Sequence, residues 1–394
     1  MKTFRYIFII SILLIIGGCQ KSDTVVAPSN KTSPMLKTSQ NDQVGRYIVV
    51  LKDNISRVPD VASDIAKQNA ATIGYVYSHS IKGFSAQMLQ SKADALRNDS
   101  RVKYIEEDRM IILSPIENDG KPSSGGGKPK TTEPPQVTPW GIDAIGGSHD
   151  GTGKTVWIID TGVDISNKDL NIDFNRSRNF VPRGQNTYND GNGHGTHVAG
   201  TIAAINNSID VVGVAAGATV VAVRVLDNSG SGYTSWVIAG VDYVGQNGKP
   251  GDVANMSLGG SQDSALDDAV IGASSVVKFA IAAGNDGAFA GNYSPADVNG
   301  ANVYTVSAYG EVNGQLGNYI WASWSNYGYP NPVDYSCPGV NILSLKAGGG
   351  TTTMSGTSMA TPHLAGLLLL LGNNVQSDGY IKDSQGVDEP RAVY

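Results

Sequence analysis

Four short apolar runs in the second half of the chain constrain its fold more than any other feature. Thr155-Val-Trp-Ile-Ile159, Thr219-Val-Val-Ala-Val223, Val253-Ala-Asn-Met256 and Val277-Lys-Phe-Ala-Ile281 have the length of strands and little polar alternation. That pattern predicts strands buried on both faces. Apolar helical runs lie between or after them, and the strand–helix alternation from Thr138 onward predicts an α/β unit with a parallel sheet covered by helices on both sides. In open sheets of this kind, functional groups gather at the carboxyl ends of strands. Asp160 and Asn285 both fall there. Leu364–Leu371 is wholly apolar but too short to span a bilayer, and is expected to be a buried helix leading away from Ser358.

With 394 residues the chain can hold more than one domain and a sizeable core. Glycine is the compositional outlier, 48 residues scattered singly between apolar runs, which predicts many tight turns. The formal net charge of −6 and the lack of a sustained basic patch argue against nucleic acid as a partner. Two cysteines exclude a disulfide framework. Cys337 is expected to be a buried free thiol.

The first 19 residues read as a secretory signal. Lys2 and Arg5 precede an apolar run from Tyr6 to Ile16, and Gly17-Gly18-Cys19 closes it. Small residues leading into a cysteine also resemble a bacterial lipobox, which implies acylation of Cys19 and a membrane contact through that lipid alone. Residues 20–43 are polar and predict a flexible tether.

Residues 44–113 read strand (46–52), helix (60–70), two strands (74–80 and 84–88), helix (91–96) and strand (102–106). Ser91 with Asp94 suggests a capping box for the second helix. The order βαββαβ predicts a small α+β ferredoxin-like domain. Residues 114–136 are rich in Pro, Gly, Ser and Lys and predict a linker open to cleavage, so that 137–394 forms the second domain.

Three motifs in the second domain carry chemistry: Ile159-Asp-Thr-Gly162, His194-Gly-Thr-His197 and Gly356-Thr-Ser-Met-Ala-Thr-Pro362. An acid, an imidazole and a hydroxyl each stand beside small residues. Together such groups turn an alcohol into a nucleophile, and the order Asp, His, Ser is one of three in which this chemistry recurs. Competing readings are weaker. His194 and His197 lack the glutamate of a helical zinc motif. Gly151-Thr-Gly-Lys-Thr155 lacks the first glycine of a phosphate loop and precedes a strand instead of following one. Position 360 is Ala, so Ser358 is not in the G-x-S-x-G elbow of an esterase.

From Pro139 to its end the chain resembles the subtilisin-like (subtilase) serine proteases, nearest the proteinase K branch. The resemblance rests on Trp157-Ile-Ile-Asp-Thr-Gly-Val163, Gly193-His-Gly-Thr-His-Val-Ala-Gly200, Val223-Arg-Val-Leu-Asp227, Asn255-Met-Ser-Leu-Gly-Gly260, Ala282-Ala-Gly-Asn-Asp286, Asn292-Tyr-Ser-Pro295 and Ser355–His363, in order. Residues 44–113, ending in Tyr104-Ile-Glu-Glu-Asp108, resemble the inhibitor-type propeptide that precedes such domains.

The resemblance implies a three-layer subtilisin-like fold and a secreted endopeptidase made as a self-processing zymogen, with polypeptide substrates and its own propeptide as intramolecular inhibitor. It implies Ser358 as nucleophile, His194 as general base and acid, Asp160 as its orienting partner, and Asn285 with the Ser358 amide as oxyanion hole. Extended substrate is implied between Gly230, Ser231 and Gly232 on one edge and Ser257, Leu258 and Gly259 on the other, with Ala283 and Gly284 walling the primary pocket. No acid stands in those segments, which favours an apolar or aromatic residue before the cut. His197 and His363 are expected to be structural hydrogen-bonders. No cofactor is implied for catalysis. A structural calcium ion is implied in one branch at Asp334, with Ala301 and Val303 as carbonyl donors. The competing class is an inactive subtilase-like module that binds or inhibits peptides, and a serine esterase is a third reading.

Overall fold

The computed structural model describes residues 42–113, 134–182 and 187–394. The signal sequence with Cys19, the tether up to Asn41 and most of the linker lie outside the described residues.

The amino-terminal domain has the order read from its sequence. Its four strands, Val44–Leu51, Thr72–Tyr77, Gly83–Leu89 and Val102–Glu107, form one sheet in which Val44–Leu51 is central between the third and fourth strands. All pairings are antiparallel. Alternation along the first strand serves two cores. Tyr47, Val49 and Leu51 pack with Ile65, Phe84 and Leu96 beneath the domain's own helices. Ile48 and Val50 point the other way and pack on the second domain.

The expected capping box is absent. Ser91 instead hydrogen-bonds through its amide (3.0 Å) and its hydroxyl to Asp42, and the helix Gln90–Leu96 has no side-chain cap of its own. The upstream chain runs beside this turn and brings both oxygens of the Asp42 carboxylate to Ser91, while Asp94 faces Arg97 (3.6 Å) instead.

The second domain is built on an eleven-stranded sheet. Thr155–Asp160 lies third from one edge, flanked in parallel by Thr219–Arg224 and Val253–Met256, and Lys278–Ala282 and Val303–Val312 continue the parallel order. Period-two alternation divides two cores. Val156 and Ile158 face the helices His194–Ala203 and Thr357–Leu371, with Val198, Ile202, Leu364 and Leu368 in contact. Trp157 and Ile159 face the helices Thr234–Asn247 and Ser264–Ala273, together with Ile48, Val50, Tyr77 and Ile111 of the first domain.

The apolar run near the end is part of a longer helix, Thr357–Leu371, almost wholly buried. Two hairpins were not read from the sequence: the extension Gln315–Trp321 back along Val303–Val312, and the terminal pair Gln376–Lys382 and Asp388–Val393 at the sheet's edge. No helix among the described residues is long and apolar enough to cross a membrane.

The two domains meet through charge and strand pairing. Asp108 accepts from the amide and hydroxyl of Ser235 (both 2.8 Å) at the start of Thr234–Asn247. Glu106 accepts from the amides of Ser264 (3.3 Å) and Ala265 (3.0 Å) at the start of Ser264–Ala273. Each acid thus satisfies amide groups that a helix leaves unpaired at its positive end.

Candidate active site

The parallel sheet ends at the site. Asp160 is the last residue of its strand, and His194 opens a helix whose N-cap, Gly193, has φ of 107°. Asp160 and His194 are both fully buried. The His194 Nδ1 lies 2.8 Å from Asp160 Oδ1 and 2.9 Å from Oδ2, and Oδ1 also accepts from the Thr161 amide at 2.7 Å. Burial pushes the His194 imidazole down, but the carboxylates of Asp160 and Asp190 together more than reverse it, so the ring holds its proton above the ordinary histidine value. A neutral ring bonded to a carboxylate carries its proton on Nδ1 and leaves Nε2 as an acceptor.

Ser358 is the second residue of Thr357–Leu371, whose helix packs on that of His194. Its hydroxyl donates to the Ser257 carbonyl (3.1 Å), and its own carbonyl accepts from the Ser257 hydroxyl (2.8 Å). The structure therefore joins Asp160 to His194 directly, but turns the Ser358 hydroxyl toward Ser257.

Asn285 follows the strand Lys278–Ala282. Its Oδ1 accepts from the Thr357 amide and hydroxyl, both at 2.9 Å, which fixes the orientation of the amide group. A Cβ on Gly356 would lie 3.6 Å from both Asn285 Nδ2 and the Ser358 amide nitrogen. The two donors thus border one small space, kept open by a glycine at φ 154°.

One of the implied substrate edges is paired by the chain itself. Met110–Ile112 pairs antiparallel with Ser231–Tyr233, with Ile112 opposite Ser231 and Ile111 opposite Gly232. The Leu113 amide donates to the Gly230 carbonyl (3.0 Å). Gly230 has φ of 77°, and a Cβ there would come within 3.2 Å of Leu113 Cδ1. Leu113 and Ile112 line a cleft of about 200 Å³ with Ser257, Leu258, Gly259, Ala283, Gly284, Asn285 and Ser358. Asp286, two residues past the segments weighed from sequence, also borders this cleft, as do Tyr293 and Ala296.

Both domains have relatives among known proteins. The subtilase family model matches residues 151–384. The chain belongs to the subtilase family of serine proteases. A second model, peptidase inhibitor I9, matches residues 46–114 of this subtilase. Alkaline serine exoprotease A of Vibrio alginolyticus is 41% identical over 323 residues, covering 79% of this chain and 54% of that protein, so the subtilase spans about half the length of this relative. The cuticle-degrading protease of Metarhizium anisopliae is 37% identical over 367 residues, covering 88% of this chain and 82% of that protein. A cold-adapted subtilisin-like serine proteinase of known structure aligns at 37% identity with a TM-score of 0.53, covering 64% of this chain and 96% of that one. Sphericase aligns at 32% identity with a TM-score of 0.52, covering 60% and 84%.

Two other buried histidines of the subtilase bond backbone carbonyls. His197 Nε2 bonds the Ile342 carbonyl (3.0 Å) and His363 Nδ1 the Met359 carbonyl (2.8 Å). Burial lowers them to about 3 and about 4, so both stay neutral. Cys337 is buried, and burial raises its thiol well above the ordinary value.

Asp334 Oδ2 accepts from the Thr305 amide (2.8 Å), and the Ala301 carbonyl accepts from the Tyr304 hydroxyl (3.4 Å), while Val303 begins a sheet strand. A different acid is worse provided for. Asp169 Oδ1 accepts from Asn207 Nδ2 (2.6 Å), but its Oδ2 is buried with no partner, and burial raises the carboxyl to about 7. Gln136 Oε1 accepts from the Asn207 amide (2.6 Å) in the same corner. No group of three or more His, Cys, Asp or Glu residues that could hold a metal occurs among the described residues.

Proposed function

We propose that the chain is a secreted serine endopeptidase that cuts peptide bonds through an acyl-enzyme and frees itself from its own prodomain. The observation that carries this reading is the buried Asp160–His194 pair beside a cleft with an extended strand already paired along one edge. In the reaction, the Ser358 hydroxyl swings about its Cα–Cβ bond from the Ser257 carbonyl to His194 Nε2. His194 takes the proton as Ser358 Oγ attacks the carbonyl, and Asp160 stabilises the imidazolium. The oxyanion is met by the Ser358 amide and Asn285 Nδ2, and His194 then returns the proton to the leaving amine. Water repeats the sequence on the acyl-enzyme.

Residues 44–113 act as prodomain and 137–394 as catalytic domain. The strand Met110–Ile112 adds to the substrate edge as a peptide substrate would. Leu113 enters the primary pocket, and the first bond cut is Leu113–Ser114. Small and apolar walls at Ala283 and Gly284 suit a leucine-sized residue. Incubating purified precursor and measuring intact masses tests this: a prodomain fragment ending at Leu113 is expected. Leu113→Asp places a carboxylate in an apolar pocket beside Asp286 and is expected to slow processing at least about tenfold, a cost of about 1.4 kcal/mol or more. Cleavage at the same bond at an unchanged rate would remove Leu113 from the pocket.

Export follows from the signal-like segment. Acylation of Cys19 would tie the prodomain side to the membrane, and processing would then release the catalytic domain.

Catalysis needs no cofactor. A structural calcium ion fits the Asp169 corner better than the Asp334 corner expected from sequence. Asp169 Oδ2 is buried without a hydrogen-bond partner, and turning over the Asn207 side-chain amide, whose Nδ2 now faces Asp169 while its Oδ1 faces the Ile209 amide, would bring a hard oxygen donor to it. Calcium at a hundred times its Kd is then expected to stabilise the fold by about 2.7 kcal/mol. Thermal unfolding with calcium or chelator reads this directly, and Asp169→Asn is expected to abolish the difference. No calcium-dependent shift in the wild type would exclude the ion.

A further inference from the structure

We propose that Asp190 is a positioning residue for the catalytic pair, holding the Asp160 strand and the His194 helix in register through two threonine hydroxyls. The inference rests on the triad reading above and adds a second buried acid to it.

Asp190 stands four residues before His194 and is 5% exposed. Its Oδ1 accepts from the amides of Asn192 (2.9 Å) and Gly193 (2.8 Å) and from the Thr161 hydroxyl (2.9 Å). Its Oδ2 accepts from the Thr196 amide (2.9 Å) and the Thr196 hydroxyl (2.6 Å). Five donors therefore converge on one carboxylate, and three of them are amides at the start of the His194 helix, where negative charge is favoured.

The two hydroxyls pass the constraint on. Because each must donate to Asp190, each is left as an acceptor on its other side. Thr161 Oγ1 accepts from the Gly195 amide (3.0 Å), and the Thr161 amide itself holds Asp160 Oδ1. Thr196 Oγ1 accepts from the Asp164 amide (3.0 Å). One carboxylate thus ties residues 161 and 164, just beyond the acid, to residues 192–196, around the base. Asp190 touches neither reacting atom, so its effect passes through the position and charge of the pair.

The charges around His194 are few. Asp160 faces it directly, and Asp190 adds a second negative charge that also favours the imidazolium. Arg224 shares the corner, but its guanidinium is taken by the carbonyls of Thr187, Asn189 and Leu226 and by Asn228 Oδ1. Asp164 turns its Oδ2 to the Gly348 amide and its Oδ1 to Ser166. His197 is neutral.

Asp190→Asn keeps the shape but removes the charge. Its new amide hydrogens would confront the Thr196 amide and force the Thr196 hydroxyl to accept instead of donate. The test is kcat/KM against pH for processed wild-type and Asp190→Asn enzyme, each titrated for active sites with a fluorophosphonate. The expected result is a kcat about 10- to 100-fold lower with KM nearly unchanged, as for a small misplacement of catalytic groups. The acid limb should also move to lower pH as the second negative charge is lost, a shift that a purely structural defect would not produce. Full kcat with an unmoved acid limb in the titrated variant overturns the proposal. A wild type that neither processes nor labels overturns the triad reading instead.

If Asp190→Asn does not mature, the Thr161 pair decides. Thr161→Val removes the relay hydroxyl and is expected to lose kcat about tenfold or more, with the acid limb in place because Asp190 is still charged. Thr161→Ser, which keeps the hydroxyl, should lose less. Equal activity of the valine and serine variants would refute the relay.

Discussion

Ser358→Ala is expected to leave the chain as an intact precursor, with hydrolysis reduced about 10⁶-fold, the loss measured on removing the nucleophile of subtilisin, a member of the same family. The physical reason is that Ser358 carries the hydroxyl on the same residue whose amide, with Asn285 Nδ2, borders the small space at Gly356. The cost to the fold should be small. The half-buried Ser358 donates one hydrogen bond to the buried Ser257 carbonyl (3.1 Å), worth about 1 kcal/mol. The prodomain should remain docked, since Asp108, Glu106 and the Met110–Ile112 strand all keep their partners. Intact mass and thermal unfolding together check this. Normal processing in a folded variant would assign the chemistry to another residue.

Asp160→Asn is expected to lower kcat about 10⁴-fold, the size of the loss when a triad acid becomes an amide. Both Asp160 oxygens lie within 2.9 Å of His194 Nδ1, so the carboxylate selects the tautomer with the proton on Nδ1. An asparagine amide facing that nitrogen selects the other tautomer, puts the proton on Nε2 and leaves nothing to accept from Ser358. The sign of the pH effect follows from the same contact. Burial lowers the His194 value, but Asp160 and, to a lesser degree, Asp190 together raise it further, so wild-type activity should fall on acidification from above the ordinary histidine pKa. Without the carboxylate, burial dominates, and the acid limb of the residual activity should move to lower pH. A pH–rate profile that keeps its position and height in Asp160→Asn would remove Asp160 from the mechanism.

Much of this was legible in the residues, for physical reasons. A strand buried on both faces has to be apolar throughout, so Thr155–Asp160 and its parallel neighbours stand out from any surface segment. Asp160, His194 and Ser358 were legible because close approach demands small neighbours, which mark the three motifs. What escaped depends on partners distant in sequence. Met110–Ile112 is too short to read as a strand, and its partner lies more than a hundred residues away. The Ser91 hydroxyl takes Asp42 because the chain before the first strand runs alongside it, which a local capping rule cannot anticipate. Thr161, Asp190 and Thr196 look like ordinary turn residues among glycines until folding gathers them. The orphaned oxygen of Asp169 likewise needs Asn207 to arrive from another segment. The terminal hairpin is largely polar, so it lacks the periodicity that marks a strand.

The claim beneath all of this is that Asp160 and His194 make the Ser358 hydroxyl a nucleophile facing the prodomain's cleft. The most direct measurement is peptide mapping by mass spectrometry after fluorophosphonate treatment of processed enzyme. One adduct per chain, on Ser358, blocked by acid and lost in His194→Ala, is the predicted result. A folded, processed enzyme that carries no adduct on Ser358, or carries it on another residue while activity disappears, would contradict that claim.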